Sequence, residues 1–301
     1  MSVKVYEVIT DRILESLKQG VVPWRMPWNK VGGTPKNLQS GKAYRGVNVF
    51  LLSAMRYAAP WFVTYKQCAA RGGQVRKGEK GCPVIFWKVG DSDKVDPKTG
   101  KKGKYFILRY YTVFNVEQCD NLSYPKPEVR DVRTFEPIER CEEIVRAYKT
   151  LPGIDHGGDR ACYSPSFDRI SMPNKEQFEG EEEYYSTLFH ELVHSTGHES
   201  RLSRDGIMNP IRFASHEYSF EELVAECGAA FLCGHAGILD HTIDNSAAYI
   251  ANWSAKLRSE PKWIVEAASK AGKASDYIMG DLLKEEEDED TEEPGAAERA
   301  A

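Results

Sequence analysis

The stretch that decides how this chain is read is His190-Glu191-Leu192-Val193-His194. Two imidazoles four residues apart stand one above the other on a single helix face. That spacing lets both grip one zinc ion, while the glutamate between them reaches the water beside the metal. Leu188 and Leu192, and likewise Phe189 and Val193, repeat at four and give the helix an apolar flank. Gly197 follows where such a helix would stop.

A hydrolytic zinc site takes three protein ligands and leaves one position for water. The third is sought in Ser219-Phe220-Glu221-Glu222-Leu223-Val224-Ala225-Glu226, where Glu222 and Glu226 share one helix face. Glu222 is favoured as the ligand and Glu226 as the group that orients a ligating imidazole. His198 is the competing third ligand, but it lies beyond Gly197; His216, His235 and His241 have no ligand spacing. Glu191 is the catalytic residue in this reading, taking the proton from the attacking water and passing it to the leaving amine. Tyr163, Tyr218 and Tyr249 are candidate oxyanion donors, and spacing does not choose among them.

Outward from that helix, the 301 residues suffice for two domains of α+β class. The expectation is a small mixed α/β domain over 1–122, a linker over 123–134, a mostly helical domain with a small sheet over 135–283, and a disordered acidic tail over 284–301. Charge divides in the same place. Residues 1–127 hold 22 Lys and Arg against 9 Asp and Glu, a net of +13, and the remainder holds 18 against 36, a net of −18. A basic half of that kind points to nucleic acid, against the plainer reading of two solvated surfaces. No apolar run is long enough to cross a bilayer, and residues 1–20 read as an amphipathic helix (Val5, Ile9, Ile13, Leu17) instead of a signal peptide. Seven cysteines without a Cys-x-x-Cys pair read as reduced packing residues of a cytoplasmic protein.

Within the basic half, Val47–Met55 reads as a buried helix, Trp61–Val63 as a short strand, and Thr64-Tyr65-Lys66-Gln67 as the cap of a brief helix. Residues 74–81 read as a cation-loaded turn. Pro83–Val89 and Tyr105–Val116 read as paired strands joined by a long Lys-rich loop, Gly90–Lys104. Arg45, Lys66, Arg76, Lys77 and Lys80 are the candidate DNA-binding cations, and Trp24, Trp28 and Tyr44 the candidate stacking platforms. The two tryptophans read equally as lids on a small core. In the acidic half, helices are expected near 136–148, 220–233, 242–257 and 262–283, with Tyr163–Met172 extended beside the metal helix, where a substrate chain would pair as an added strand.

Several of these segments together resemble one family. Pro23–Trp28, Gly41–Asn48, Thr64–Gln67 and Gly73–Lys80 look like the N-terminal domain of ArdC-type antirestriction proteins of conjugative plasmids and mobile elements. His190–His198, Arg201–Arg204 and Glu221–Glu226 resemble the zincin metallopeptidase domain of the same proteins, itself similar to the SprT/Spartan group. The resemblance implies sequence-independent binding of single-stranded DNA and a metallopeptidase-like site holding zinc or another divalent metal such as Mn2+. It also implies protection of incoming DNA from host restriction. The protein substrate is unknown under this reading; a restriction-system or DNA-bound protein is the implied class. Glu222-Leu-Val-Ala-Glu226 resembles the Glu-x-x-Ala-Asp of other glutamate-type zincins, which supports Glu222 as the ligand. The alternative is a DNA-coating protector whose metal site is structural or vestigial.

Overall fold

The computed structural model describes residues 2–19, 22–23, 34–95, 102–125, 137–157, 160–208, 216–238 and 247–283. Trp24, Trp28 and the acidic tail lie outside them. The fold is α+β in two compact units, one of Met1–Asp131 with Asn245–Glu266, the other of Val132–Asp244 with Ala267–Ala301.

In the first unit, α1 (Ser2–Lys18) buries its stripe of Val5, Ile9, Ile13 and Leu17. A four-stranded sheet runs in the order β1 (Lys36–Asn37), β2 (Trp61–Thr64), β5 (Lys102–Asn115), β4 (Cys82–Val95). β1 is parallel to β2, and the other pairings are antiparallel. The helix α2 (Val47–Ser53) packs on β4 with six consecutive buried residues, Val47 to Leu52. Its Asn48 does what a missing strand would do. The amide donates to Ile85 O and accepts from Ile85 N, both at 2.8 Å, and so satisfies part of the open edge of β4. Thr64 ends β2 and starts α3 (Tyr65–Ala70) through a reciprocal capping box with Gln67. Val63, Cys68, Val75 and Val116 form the small core beneath.

Residues 74–81 are more than a turn: β3 (Gln74–Val75) pairs with β6 (Cys119–Asp120). The 90–104 segment departs from the sequence reading too. The β4–β5 ladder continues through Gly90↔Tyr105 and Asp91↔Lys104, with an irregularity before Val95↔Lys102, so only 96–101 remain as the connection. Backbone pairing in a two-stranded ribbon needs no apolar side chains, which is why composition hid it.

In the second unit, α4 (Pro137–Ala147) is followed by a three-stranded sheet ordered β7 (Gly153–His156), β9 (Arg169–Met172), β8 (Cys162–Ser164). Then come α5 (Glu181–Ser195), the one-turn α6 (Asp205–Met208) and α7 (His216–Ala236). Glu181, Glu182 and Glu183 occupy the first turn of α5, where carboxylates complement the helix dipole. α5 packs on α7 and on β8 and β9. The crossing with α7 is close at Gly228, where a Cβ would come within 2.6 Å of Val193 Cγ2. α8 (Ala247–Ser259) packs on α1 and groups with the first unit, whereas sequence placed it in the second domain. α9 (Trp263–Met279) crosses the dividing residue. No described helix is long and apolar enough to cross a membrane.

Candidate functional site

Leu188, Phe189, Leu192 and Val193 are buried in the core, and that burial turns the opposite stripe of α5, His190 and His194, toward α7. The two Nε2 atoms face one another at 3.1 Å. Glu222 meets both: Oε2 lies 3.5 Å from His190 Nε2, and Oε1 lies 3.5 Å from His194 Nε2. These three are a group of ligating atoms among the described residues. Bonds of about 2.0–2.2 Å at a tetrahedral centre set donors about 3.3–3.5 Å apart, so the triangle has the dimensions of a zinc site.

The local electrostatics ask for a cation. Two imidazole nitrogens at contact distance repel unless a proton or an ion lies between them. Both Nδ1 atoms are buried without a hydrogen bond. Burial disfavours the imidazolium of His190, yet the carboxylates of Glu222, Glu191 and Glu226 outweigh it and raise the pKa to about 9. Glu191 itself is only 7% exposed. The donor set therefore fits a divalent metal.

A second acid belongs to the site that sequence did not single out. Glu221, 4% exposed, lies with Oε1 3.6 Å from His194 Nδ1, a charge contact too long for a hydrogen bond. Its carboxylate is held by Arg204 Nη2 at 2.6 Å. The same guanidinium donates to Val193 O at 2.7 Å and Thr196 Oγ1 at 2.5 Å, satisfying groups at the end of α5. Burial opposes the charge on Glu221, but His194 and Arg204 hold its carboxyl below the usual range. The available signal was helical spacing: 221, 224, 225 and 228 form one stripe, and an acid on a buried stripe needs a partner. Glu226, half-buried one turn on, contributes to the field at His190.

His198 is not in the cluster; its Nδ1 pairs with Ser200 Oγ at 2.8 Å. Gly197 does not end the helix by a left-handed turn. α5 ends at Ser195 with Thr196 as cap, and Gly197 is small because a Cβ there would meet Ile207 Cγ1 at 2.5 Å. The Tyr163 hydroxyl donates to Asp168 Oδ1 at 2.8 Å, which commits it away from an oxyanion role. The side chains of Tyr218 and Tyr249 lie outside the described residues.

On the first unit, Arg45, Lys66, Lys77 and Lys80 are exposed. Arg76 is engaged within the fold: it donates to Glu79 Oε1 at 2.9 Å and Glu117 O at 2.6 Å, and lies 3.6 Å from Asp120. Tyr44 meets the Phe62 ring edge-on at 6.4 Å and its hydroxyl accepts from Asn37. Both are tied to structure more firmly than their sequence setting suggested.

Comparison with known proteins also divides the chain in two, but takes the α8 segment with the second part. A family described as the N-terminal domain of anti-restriction factor ArdC matches residues 3–114, and a zincin-like metallopeptidase family matches 139–270. Two Escherichia coli proteins named DNA primase TraC are each 39% identical, over 307 and 292 residues. They match 96% and 91% of this chain, which spans only 28% and 20% of their own length. A Sinorhizobium fredii (strain NBRC 101917 / NGR234) protein described as uncharacterized, y4eC, is 38% identical over 91% of both chains. The metal-free crystal structure of the antirestriction protein ArdC from plasmid R388 is 36% identical, with a TM-score of 0.70, over 93% of this chain and 98% of that one. The Mn(II)-bound structure of that protein aligns with a TM-score of 0.68, at 36% identity, over 91% and 96%. Two domains matched in order, and a solved relative aligned almost end to end, show that the chain belongs to the ArdC family of antirestriction proteins.

Proposed function

We propose that this protein binds single-stranded DNA through its basic first unit, protects incoming plasmid or mobile-element DNA from host restriction, and acts as a metal-dependent peptidase through its second. The observation that carries the reading is the convergence of His190, His194 and Glu222 beside a buried Glu191. His190, His194 and Glu222 hold the ion; Glu221, backed by Arg204, orients His194, and Glu226 adds negative charge behind His190. Two imidazoles and a carboxylate suit zinc, and Mn(II) in the R388 relative makes manganese the natural competitor. When bound, the ion supplies Lewis-acid polarisation of the scissile carbonyl and acidifies water. Glu191 is no ligand in this arrangement. Its carboxylate takes the proton from the attacking water and delivers it to the leaving amine nitrogen. β8 offers the site a strand edge against which an extended peptide would lie. A DNA-bound or restriction-system protein is the proposed substrate class.

The test is Glu191→Gln, assayed for metal content, oligonucleotide binding, protein cleavage and protection of transferred DNA. The expected result is loss of cleavage and protection by at least two orders of magnitude in rate, with metal and DNA binding retained. Full protection by Glu191→Gln would instead mean that protection comes from coating the strand.

A further inference from the structure

The β4–β5 ribbon carries an exposed aromatic arrangement that none of the sequence candidates included. Arg109, Tyr110, Tyr111 and Thr112 are exposed in succession, so both faces of the ribbon reach solvent here. Tyr111 is 50% and Tyr110 44% exposed. The Tyr111 ring lies flat on Phe86, with centroids 4.3 Å apart and planes 8° from parallel. The register sets Arg109 opposite Phe86 and Tyr111 opposite Val84, which brings Arg109, Phe86 and Tyr111 to one face. Tyr65, 59% exposed, follows Thr64, the partner of Val113, and so leaves β2 level with Thr112. From Lys80 to Gly90 and from Lys102 to Val116 the two strands hold no acidic residue; Asp91 and Asp93 come further along the ribbon.

We propose that Tyr111, seated on Phe86, is a stacking platform for an unpaired nucleobase, and that Arg109 takes the neighbouring phosphate. This rests on the reading of the first unit as a single-strand binder. The chemistry selects the occupant. A flat ring with an open π face accepts any base, the second ring beneath fixes its tilt, and a cation on an acid-free stretch of the two strands draws a polyanion. Paired bases in a duplex have no free face to offer. An acidic peptide would satisfy the arginine but leave the stacked rings unmatched.

The experiment uses the full chain and a fluorescein-labelled oligothymidylate of about 20 nucleotides, with anisotropy read over a series of salt concentrations. Tyr111→Ala is expected to weaken binding roughly tenfold or more with the salt slope unchanged, because a stack but no charge is lost. Tyr111→Trp is expected to retain binding. Arg109→Gln is expected to reduce the slope by about 0.7. Wild-type affinity in Tyr111→Ala overturns the platform while leaving single-strand binding intact; absence of binding by the wild type overturns both. Photocrosslinking of wild type to a 5-iodouracil oligonucleotide avoids dependence on how the variants fold. Crosslinks to peptides containing Phe86 or Tyr111 support the assignment, and crosslinks confined to other segments overturn it.

Discussion

Arg204 Nη2 and Glu221 Oε1 lie 2.6 Å apart with both side chains only 5% exposed. Removing the cation alone leaves a buried carboxylate without its partner. Arg204→Ala is expected to destabilise the second unit by about 3–5 kcal/mol, read by urea denaturation. The double variant Arg204→Met/Glu221→Leu is expected to cost less than either single change. An equal or larger loss in the double would mean that the bonds to Val193 and Thr196 dominate.

Metal binding should register as stability. Zinc at about one hundred times its Kd adds about 2.7 kcal/mol to a protein that binds it only when folded. Wild type is expected to melt higher with added zinc, and His194→Ala to show no such rise. A zinc-induced rise that survives in His194→Ala would place the ion elsewhere.

The α5–α7 crossing leaves no room at residue 228. A Cβ at Gly228 would stand 2.6 Å and 2.8 Å from the two Val193 methyls. Gly228→Ala is expected to push α7 away, costing about 1–3 kcal/mol, and to loosen metal affinity by separating Glu222 from the histidines. Adding Val193→Ala is expected to restore part of the metal affinity, measured by competition with a chromogenic chelator. No recovery would show that the crossing does not control the ligand spacing.

Asp168 gives the acid limb of stability. Arg201 donates to both of its oxygens at 2.8 Å, and with the Tyr163 hydroxyl it holds the carboxyl below its usual value, against the opposing effect of burial. A depressed folded-state pKa contributes stability that is complete above the unfolded value, near 3.8, and is lost as pH falls through the lower folded one. Asp168→Asn keeps a residue tolerant of the left-handed backbone at φ 47°. The gap in Tm between wild type and Asp168→Asn is expected to be constant at neutral pH and to close below about pH 4. A gap unchanged at pH 2 would rule the ion pair out as its source.

Asn48 closes the sheet edge with two bonds to Ile85. Asn48→Leu is expected to cost about 1–3 kcal/mol in the first unit and to increase self-association, seen by light scattering. A monodisperse variant of unchanged stability would show that water replaces the amide.

Much of this was legible locally. The stripes of α1 and α5, the Thr64–Gln67 cap and the two imidazoles are set by residues within a turn or two of each other, so periodicity reveals them. β1, β3, β6 and β7 escaped because runs of two to four residues carry no alternation, and their partners lie far along the chain. Arg76 looked like a free cation since its partners Glu117 and Asp120 arrive from beyond the hairpin. Glu221 was hidden for the same reason: its role depends on Arg204, which a loop supplies from outside α7.

Glu221 and Glu222 are sequence neighbours that face different tasks, about 100° apart around α7. Because Arg204 clamps the first, it sets the azimuth at which the second is offered to the histidines. Insertion or deletion of one residue in the opening turns of α7 would rotate both carboxylates at once, delivering neither to its partner. Length variation among relatives should therefore collect outside that segment, while the acidic doublet and the arginine are inherited as a phased unit.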